Sequence, residues 1–309
     1  MAWKAVGSRS NLVVLAFVLP LCLWSAVSYI PALWHPLIEI TAPGDSEYLE
    51  SGMRMPARDF RAAVKAARAA HKPPPTGFPA NPVYLPAPHE VARALWVALT
   101  AVPLQRDLPT LPWSFWHSIL IIAWGFLISS AIGVPLGILC GTSALIGRLV
   151  EPFVDFVRYM PAPAFGALAV AILGIYDGPK VAIIVIGTLF QQILIIANTT
   201  RQADRLLIEA ALTLGAKRLS LLGYVIVPAV LPQLYRDQRI LLGWAWTYLI
   251  VAEMIGTSSG ITFFITQQAR YQHFASMYGA ILLIGIAGSV TDIVLARLGR
   301  RLFPWDAGR

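Results

Sequence analysis

The sequence predicts an all-α integral membrane protein with about six transmembrane helices and a polar insertion near the N-terminus. Three observations carry this. The 309 residues are 57% hydrophobic and only 13% charged, where soluble domains average about 25% charged residues. Apolar runs recur at lengths near the ~20 residues needed to cross a hydrocarbon core of ~30 Å. The net charge of +8 gathers at the ends of those runs, the bias that orients membrane helices with basic ends inside. That placement accounts for the basic excess without a nucleic-acid partner.

Residues 1–30 form the first element. Lys4 and Arg9 precede an apolar run from Leu12 to Ile30. The run, about 19 residues, is longer than the apolar region of a cleaved signal, so an uncleaved helix is expected, with Leu19-Pro20 its weak point. Residues 31–112 are polar and proline-rich. Between Met55 and Lys72, alanines alternate with Arg58, Arg61, Lys65 and Arg68, the pattern of a surface helix lying at the headgroups. Lys72 to Pro82 reads as an extended linker, and a helix is expected from His89 to about Ala101. A spacer is the plain reading of this insertion, and an added docking surface the sharper one.

Residues 113–300 carry the remaining spans. The second runs from about Trp113 to Cys140, with Trp113 and Trp116 suited to the interface and Gly133, Pro135, Gly137 and Gly141 permitting close helix contact. The third, about Leu149 to Leu173, is broken by Pro161 and Pro163. Asp177-Gly178-Pro179 turns the chain into the fourth, Val181 to about Ala197. The fifth runs from about Arg239 to Ile255. A loop with a short helix, Gly256 to His273, precedes the last, about Met277 to Ala296, and residues 301–309 form a tail. Six crossings put both termini and the loop at 198–222 inside, in agreement with Lys4, Arg9, Arg148, Arg201, Arg205, Lys217, Arg218 and the terminal arginines. Cys22 and Cys140 lie in apolar stretches without metal-ligand spacing and read as lipid-buried small residues.

No glycine-rich phosphate loop is followed by a lysine, and the five histidines have no ligand-like spacing. Neither ATP hydrolysis nor a metal or Ser-His-Asp centre is expected of the chain itself.

The most informative segment is 198–222. Arg201, Asp204, Arg205, Glu209, Lys217 and Arg218 surround a helical pattern of Leu212, Leu214, Leu219 and Leu222. Within Glu209-Ala210-Ala211-Leu212-Thr213-Leu214-Gly215-Ala216, the small alanines let a helix sink into a cleft and the leucines supply knobs. Gly215 permits a sharp turn after the helix. Glu209 can pair with a basic group on a partner or with Arg205 one turn earlier. A solvated connecting helix is the alternative. Pro228 and Pro232 are expected to break or bend the chain where this segment meets the next span.

This motif is followed by Leu222, Val227-Pro228, Pro232, Gly243, Trp246, Ala252-Glu253-Met254 and Ser259-Gly260-Ile261. The series resembles the permease subunits of bacterial ABC importers of the nitrate, sulfonate, taurine and bicarbonate type, from about Tyr84 to about Trp305. The resemblance implies a type I ABC importer permease core in the bacterial inner membrane, with a cytoplasmic coupling loop at 198–222 and a periplasmic insertion. It implies that Arg205, Glu209, Ala210, Ala211, Leu212, Leu214, Gly215 and Ala216 couple to a cytoplasmic ABC ATPase dimer. ATP and Mg would be held by that ATPase, and no cofactor by this chain. A periplasmic substrate-binding protein and a second permease copy, as a homodimer, complete the implied assembly, and the cargo would be a small anion. Pro31 to Pro82 has no counterpart in the resembled family.

Polar groups within spans are candidates for the path. Glu151, Asp155 and Arg158 share one helical face. Arg158, Tyr159 and the break at Pro161 could line an anion route, because a broken helix exposes backbone N–H groups; an Asp155–Arg158 pair is the alternative. Gln191 and Gln192 either face a pore or tie helices together. Glu253 is expected to be a structural acceptor or gate element. A self-contained secondary transporter or channel is the rival class, but it calls for inverted repeats and midplane carboxylates, and no convincing repeat is visible.

Overall fold

The computed structural model describes residues 9–30, 33, 36–45, 48–100, 110–255 and 259–306. Lys4, His35, Ala101, Gly256 and the last three residues of the tail lie outside these. The elements, in order, are α1 (Arg9–Tyr29), β1 (Leu37–Ala42), β2 (Arg54–Pro56), α2 (Ala57–Ala69), β3 (Thr76–Ala80), α3 (Pro88–Thr100), α4 (Leu111–Thr142), α5 (Ala144–Val157), α6 (Gly166–Leu173), α7 (Asp177–Arg201), α8 (Arg205–Thr213), α9 (Arg218–Leu221), α10 (Val227–Ile255), α11 (Ile261–Arg270) and α12 (Phe274–Leu302). Among the described residues, five helical stretches are long and apolar enough to cross a membrane. The pair Ala144–Val157 and Ala162–Leu173, bent by 85°, makes a sixth if it is one span. Two compact units form, residues 1–102 with 265–281 and residues 103–264 with 282–309.

In the first unit the insertion is folded. Three antiparallel strands in the order β2-β1-β3 form a small sheet. Ile40, Leu49 and Phe60 make its core, with Val64 and Ala63 of α2 packed on them. Glu39 and Arg54 face each other across the β1–β2 ladder and pair at 2.8 Å. The stretch expected as an extended linker, Lys72 to Pro82, contains β3, which pairs with β1 from Ala80 back to Thr76. Proline-rich extended backbone and a strand share one region of φ/ψ space, so the residue pattern alone does not separate them. Pro79 is tolerated because β3 is an edge strand, where a missing N–H need not face a partner. α1 continues through Pro20 without a break. Trp24 Nε1 donates to Pro86 O at 3.0 Å and Asn81 Nδ2 donates to Ser28 O at 3.0 Å, which ties α1 to the loop before α3.

The second unit is organised by one interface. On α4, Gly125, Ser129, Gly133, Gly137 and Gly141 recur every fourth residue and form a groove. On α7, Lys180, Ile184, Thr188, Gln192, Ile196 and Thr200 recur with the same period, and all are buried. Two rows of equal period pack ridge into groove, and small residues let the backbones approach closely. A Cβ at Gly125 would lie 2.6 Å from Ile184, at Gly133 2.9 Å from Gln192, at Gly137 2.7 Å from Ile196 and at Gly141 2.6 Å from Thr200. Both series ascend together, so α4 and α7 are parallel. The chain between them must therefore return from one end of α4 to the other. The bent pair is that return, one crossing rather than a re-entrant loop, and the expected count of six spans stands.

α10 runs antiparallel to α7: Asp237 accepts from Thr199 Oγ1 at 2.5 Å near one end, and the Tyr248 ring lies against Gly187 further along. α12 returns antiparallel to α10, with Tyr235 Oη donating to Leu295 O at 2.8 Å and Arg239 bidentate to Asp292 at 2.8 and 2.9 Å. The fifth span is longer than expected, since α10 begins at Val227 rather than Arg239 and includes Pro232. Of the expected break or bend, the chain shows no break: a five-residue π-helix, Leu222–Ile226, leads into α10. A widened turn moves carbonyls away from the following prolines, so the helix absorbs them without parting. Cys140 is 1% exposed but packs against Val154, Ile193 and Ala197 rather than lipid.

Candidate functional site

α8 is built as a self-contained, outward-facing helix. Asp204 caps its start by accepting from Leu206 N at 2.9 Å. Its end closes in two backbone bonds, Gly215 N to Leu212 O at 3.0 Å and Ala216 N to Ala211 O at 3.0 Å. That double closure needs a left-handed residue between helix and exit, and Gly215 supplies it at φ +81°. No residue of α8 is buried. Leu206 is 73% exposed, Leu214 88% and Leu219 82%. Water does not reward such a surface, so this is an exposed apolar patch. The alternative ion pair of Glu209 with Arg205 does not form; neither residue has an ion pair among the described residues.

The base of α8 is clamped. Arg201 pairs with Glu151 of α5 and donates to Cys140 O of α4 at 3.4 Å. Thr199 and Gln233 both bind Asp237, at 2.5 and 2.9 Å. Ala203 packs on Ile196, Val230 and Leu234. The exit of α7, the start of α10 and α8 thus form one joint.

The structure places the path candidates in separate surroundings. Arg158 caps α5, pairs with Asp155 at 2.7 Å and donates to Tyr159 Oη at 2.9 Å, with Tyr159 exposed. Glu151, on the same face by sequence, turns instead to Arg201. The bend at Pro161 exposes fewer backbone donors than expected, because Tyr159 N bonds Phe156 O at 3.3 Å and Met160 N bonds Val157 O at 2.9 Å. Gln192 is buried between three helices. Its Oε1 accepts from Ser129 at 2.5 Å, and its Nε2 donates to Ser130 and to Gln238, each at 3.0 Å. Gln191 is half-buried.

Glu253 is 1% exposed and staples two segments. Ser118 donates to its Oε1, and Thr262 N donates to its Oε2 at 2.8 Å; Ile261 N donates to Ser118 Oγ at 2.8 Å. Gly260, at φ +106°, sits so close to the carboxylate that a Cβ there would collide with it. Beside this staple lies a group the residue pattern does not single out. Lys180 is fully buried, 3.0 Å from Asp177 and 2.8 Å from Ser259 Oγ, and His117 Nε2 lies 3.0 Å from Asp177. The available signal was the i, i+3 spacing of Asp177 and Lys180 at the start of an apolar span. Together these contacts hold residues 259–262 to the ends of α4 and α7, at the end of the unit away from α8. Among the described residues no cluster of His, Cys, Asp or Glu could hold a metal ion.

Comparison with known proteins agrees with this architecture. Residues 133–304 match the family described as binding-protein-dependent transport system inner membrane component. A probable ABC transporter permease protein of Brucella abortus is 32% identical over 224 residues, covering 72% of this chain and 87% of that protein. The taurine transport system permease protein of Escherichia coli is 27% identical, covering 73% and 81%. Among solved structures, the MetNI methionine ABC transporter in inward-facing conformations aligns with a TM-score of 0.57 at 19% identity, over 62% of this chain and 95% of that one, which shows a shared fold. The match to the family extends over more than half of the 309 residues, across the α7–α8–α10 joint; the protein belongs to the inner-membrane permease components of binding-protein-dependent ABC transport systems.

Proposed function

We propose that this chain is the transmembrane subunit of an ATP-driven importer for a small anion, with α8 as its coupling helix. The observation that carries the reading is α8 itself, a capped helix with exposed leucines, mounted on a joint between the end of α7 and the start of α10. A rigid lever, not a chemical centre, is what a subunit powered by a neighbouring ATPase requires. In this reading Arg205, Glu209, Ala210, Ala211, Leu212, Leu214, Gly215 and Ala216 meet the ATPase, which holds ATP and Mg. With α1 and the bent pair each counted as one crossing, six in all, both termini and α8 lie in the cytoplasm and the insertion lies in the periplasm. A periplasmic binding protein delivers the cargo, and a second copy of this chain supplies the other ATPase contact. The taurine permease among its relatives supports a sulfonate or a similarly small oxyanion, with nitrate, bicarbonate and carboxylates in the same class. Arg158, Tyr159 and Pro161, with Gln191, Gln192 and Glu253, remain the proposed path residues.

The test is co-purification from membranes in mild detergent, followed by Gly215→Leu. A side chain at φ +81° is strained, by about 1–2 kcal/mol, and the Leu212 and Ala211 closures weaken with it. Uptake should fall with ATP hydrolysis uncoupled, while the spans stay folded by circular dichroism. Uptake in the variant equal to that of the unaltered chain, with no ATPase bound, would instead favour a self-powered transporter.

A further inference from the structure

Outside α2, the basic residues of the insertion's sheet and linker, Arg54 and Lys72, are paired. Glu39 meets Arg54 at 2.8 Å and Asp45 meets Lys72 at 2.9 Å. α2 does not follow this rule. Arg58, Arg61, Lys65 and Arg68 are all exposed. Their spacing of three, four and three residues confines them to an arc of about 80° and a row about 15 Å long. Arg58 has only its neighbour Asp59, at 3.5 Å, with its own side chain 93% exposed. Among the described residues, Arg61, Lys65 and Arg68 have no ion pair. Like charges one turn apart repel, so the row burdens its own helix unless something outside compensates.

We infer that this face of α2 docks an acidic face of the soluble protein that delivers the cargo, an inference resting on the importer reading above. A bilayer fits the row less well. Helices that lie on membranes insert bulky apolar residues beside their cations. Here Phe60, Ala63 and Val64 are committed to the sheet, and the residues interleaved with the cations are the exposed alanines Ala62, Ala66 and Ala69. Small flat spacers between arginines suit a protein surface, where guanidinium forks bind carboxylates bidentately and arginine is the favoured cation. The family match begins at residue 133, so this contact adds to the shared core rather than forming part of it.

The experiment uses the full chain assembled with its ATPase in nanodiscs of neutral phosphatidylcholine. The probe is the purified binding protein carrying its endogenous ligand. In the triple variant R61E/K65E/R68E, the concentration giving half-maximal ATPase stimulation should rise about tenfold, equivalent to ~1.4 kcal/mol, with the maximal rate unchanged. The neutral variant R61Q/K65Q/R68Q should fall between, which separates lost attraction from misfolding. Added salt should raise the half-maximal concentration for the unaltered chain and not for the glutamine variant. Equal half-maximal concentrations in all three chains would overturn the inference. So would variants that differ only in nanodiscs containing phosphatidylglycerol, an outcome that assigns the row to lipid. A complex that no binding protein stimulates, even with α2 unaltered, would remove the importer reading itself.

Discussion

The contact between α4 and α7 makes a sharp demand at Gly137. Adding one methyl group there, Gly137→Ala, places a Cβ 2.7 Å from Ile196 Cβ, 2.8 Å from its Cγ2 and 2.9 Å from Ile193 O. Apolar atoms rest at about 3.5–4.0 Å, so α7 must withdraw by roughly 1 Å, and a gap of that size forfeits a quarter to a half of each neighbouring dispersion contact. Gly133 against Gln192 and Gly141 against Thr200 would loosen with it. Overpacking of this kind costs about 1–3 kcal/mol, set against a gain of about 0.8–1 kcal/mol for alanine over glycine within a helix. Gly243→Ala is the matched control. It lies in α10 with nothing within 4 Å of its Cβ, so only the gain applies. The two variants should therefore differ by about 1–3 kcal/mol, or several degrees in melting midpoint at about 2–4 °C per kcal/mol. Thermal unfolding in detergent, followed by tryptophan fluorescence, measures this. Coincident midpoints for the two variants would refute the packing argument.

Other expectations follow from the polar ties. Lys180→Met removes a cationic partner of Asp177 and Ser259; a loss of about 1–3 kcal/mol and faster proteolysis near residues 259–262 should appear together in limited digestion. Gln192→Leu deletes three hydrogen bonds at the meeting of α4, α7 and α10. At about 0.6 kcal/mol each in a membrane, the thermal midpoint should drop modestly, and a rise would show that the polar cluster is not a tie. Arg158→Ala leaves Asp155 unpaired at the end of α5; assembly should persist on size exclusion while anion uptake weakens, and unchanged uptake kinetics would take Arg158 off the route.

The helical spans were legible because their apolar runs exceed the membrane thickness, and the short helix α8 because its leucines keep a helical period beside Gly215. The glycines of α4 were legible as close-contact sites, but their partner was not. Matching the row 125–141 to the row 184–200 needs a register between two helices that lie about 60 residues apart in sequence, and only the folded chain supplies it. The same is true of Lys180, which reaches Ser259, 79 residues on, while His117 of α4 joins the group through Asp177. The sheet of the insertion stayed hidden because prolines in β3 imitate a linker. Glu209 shows the opposite limit: Arg205 stands at the right spacing, yet exposed charges one turn apart gain little from pairing, and the two remain separate.

α7 is fixed at both extremities, by Arg201 and Thr199 beside α8 and by Lys180 at the far end. Its 25 residues make a rod about 37 Å long at 1.5 Å per residue. A swing of about 5° about one end carries the other through about 3 Å, as far as the hydrogen bonds of Lys180 are long. A small tilt at one end therefore suffices to part Lys180 from Ser259 at the other, with no bending of the shaft between, while Ser118 and Glu253 keep their hold on residues 261 and 262.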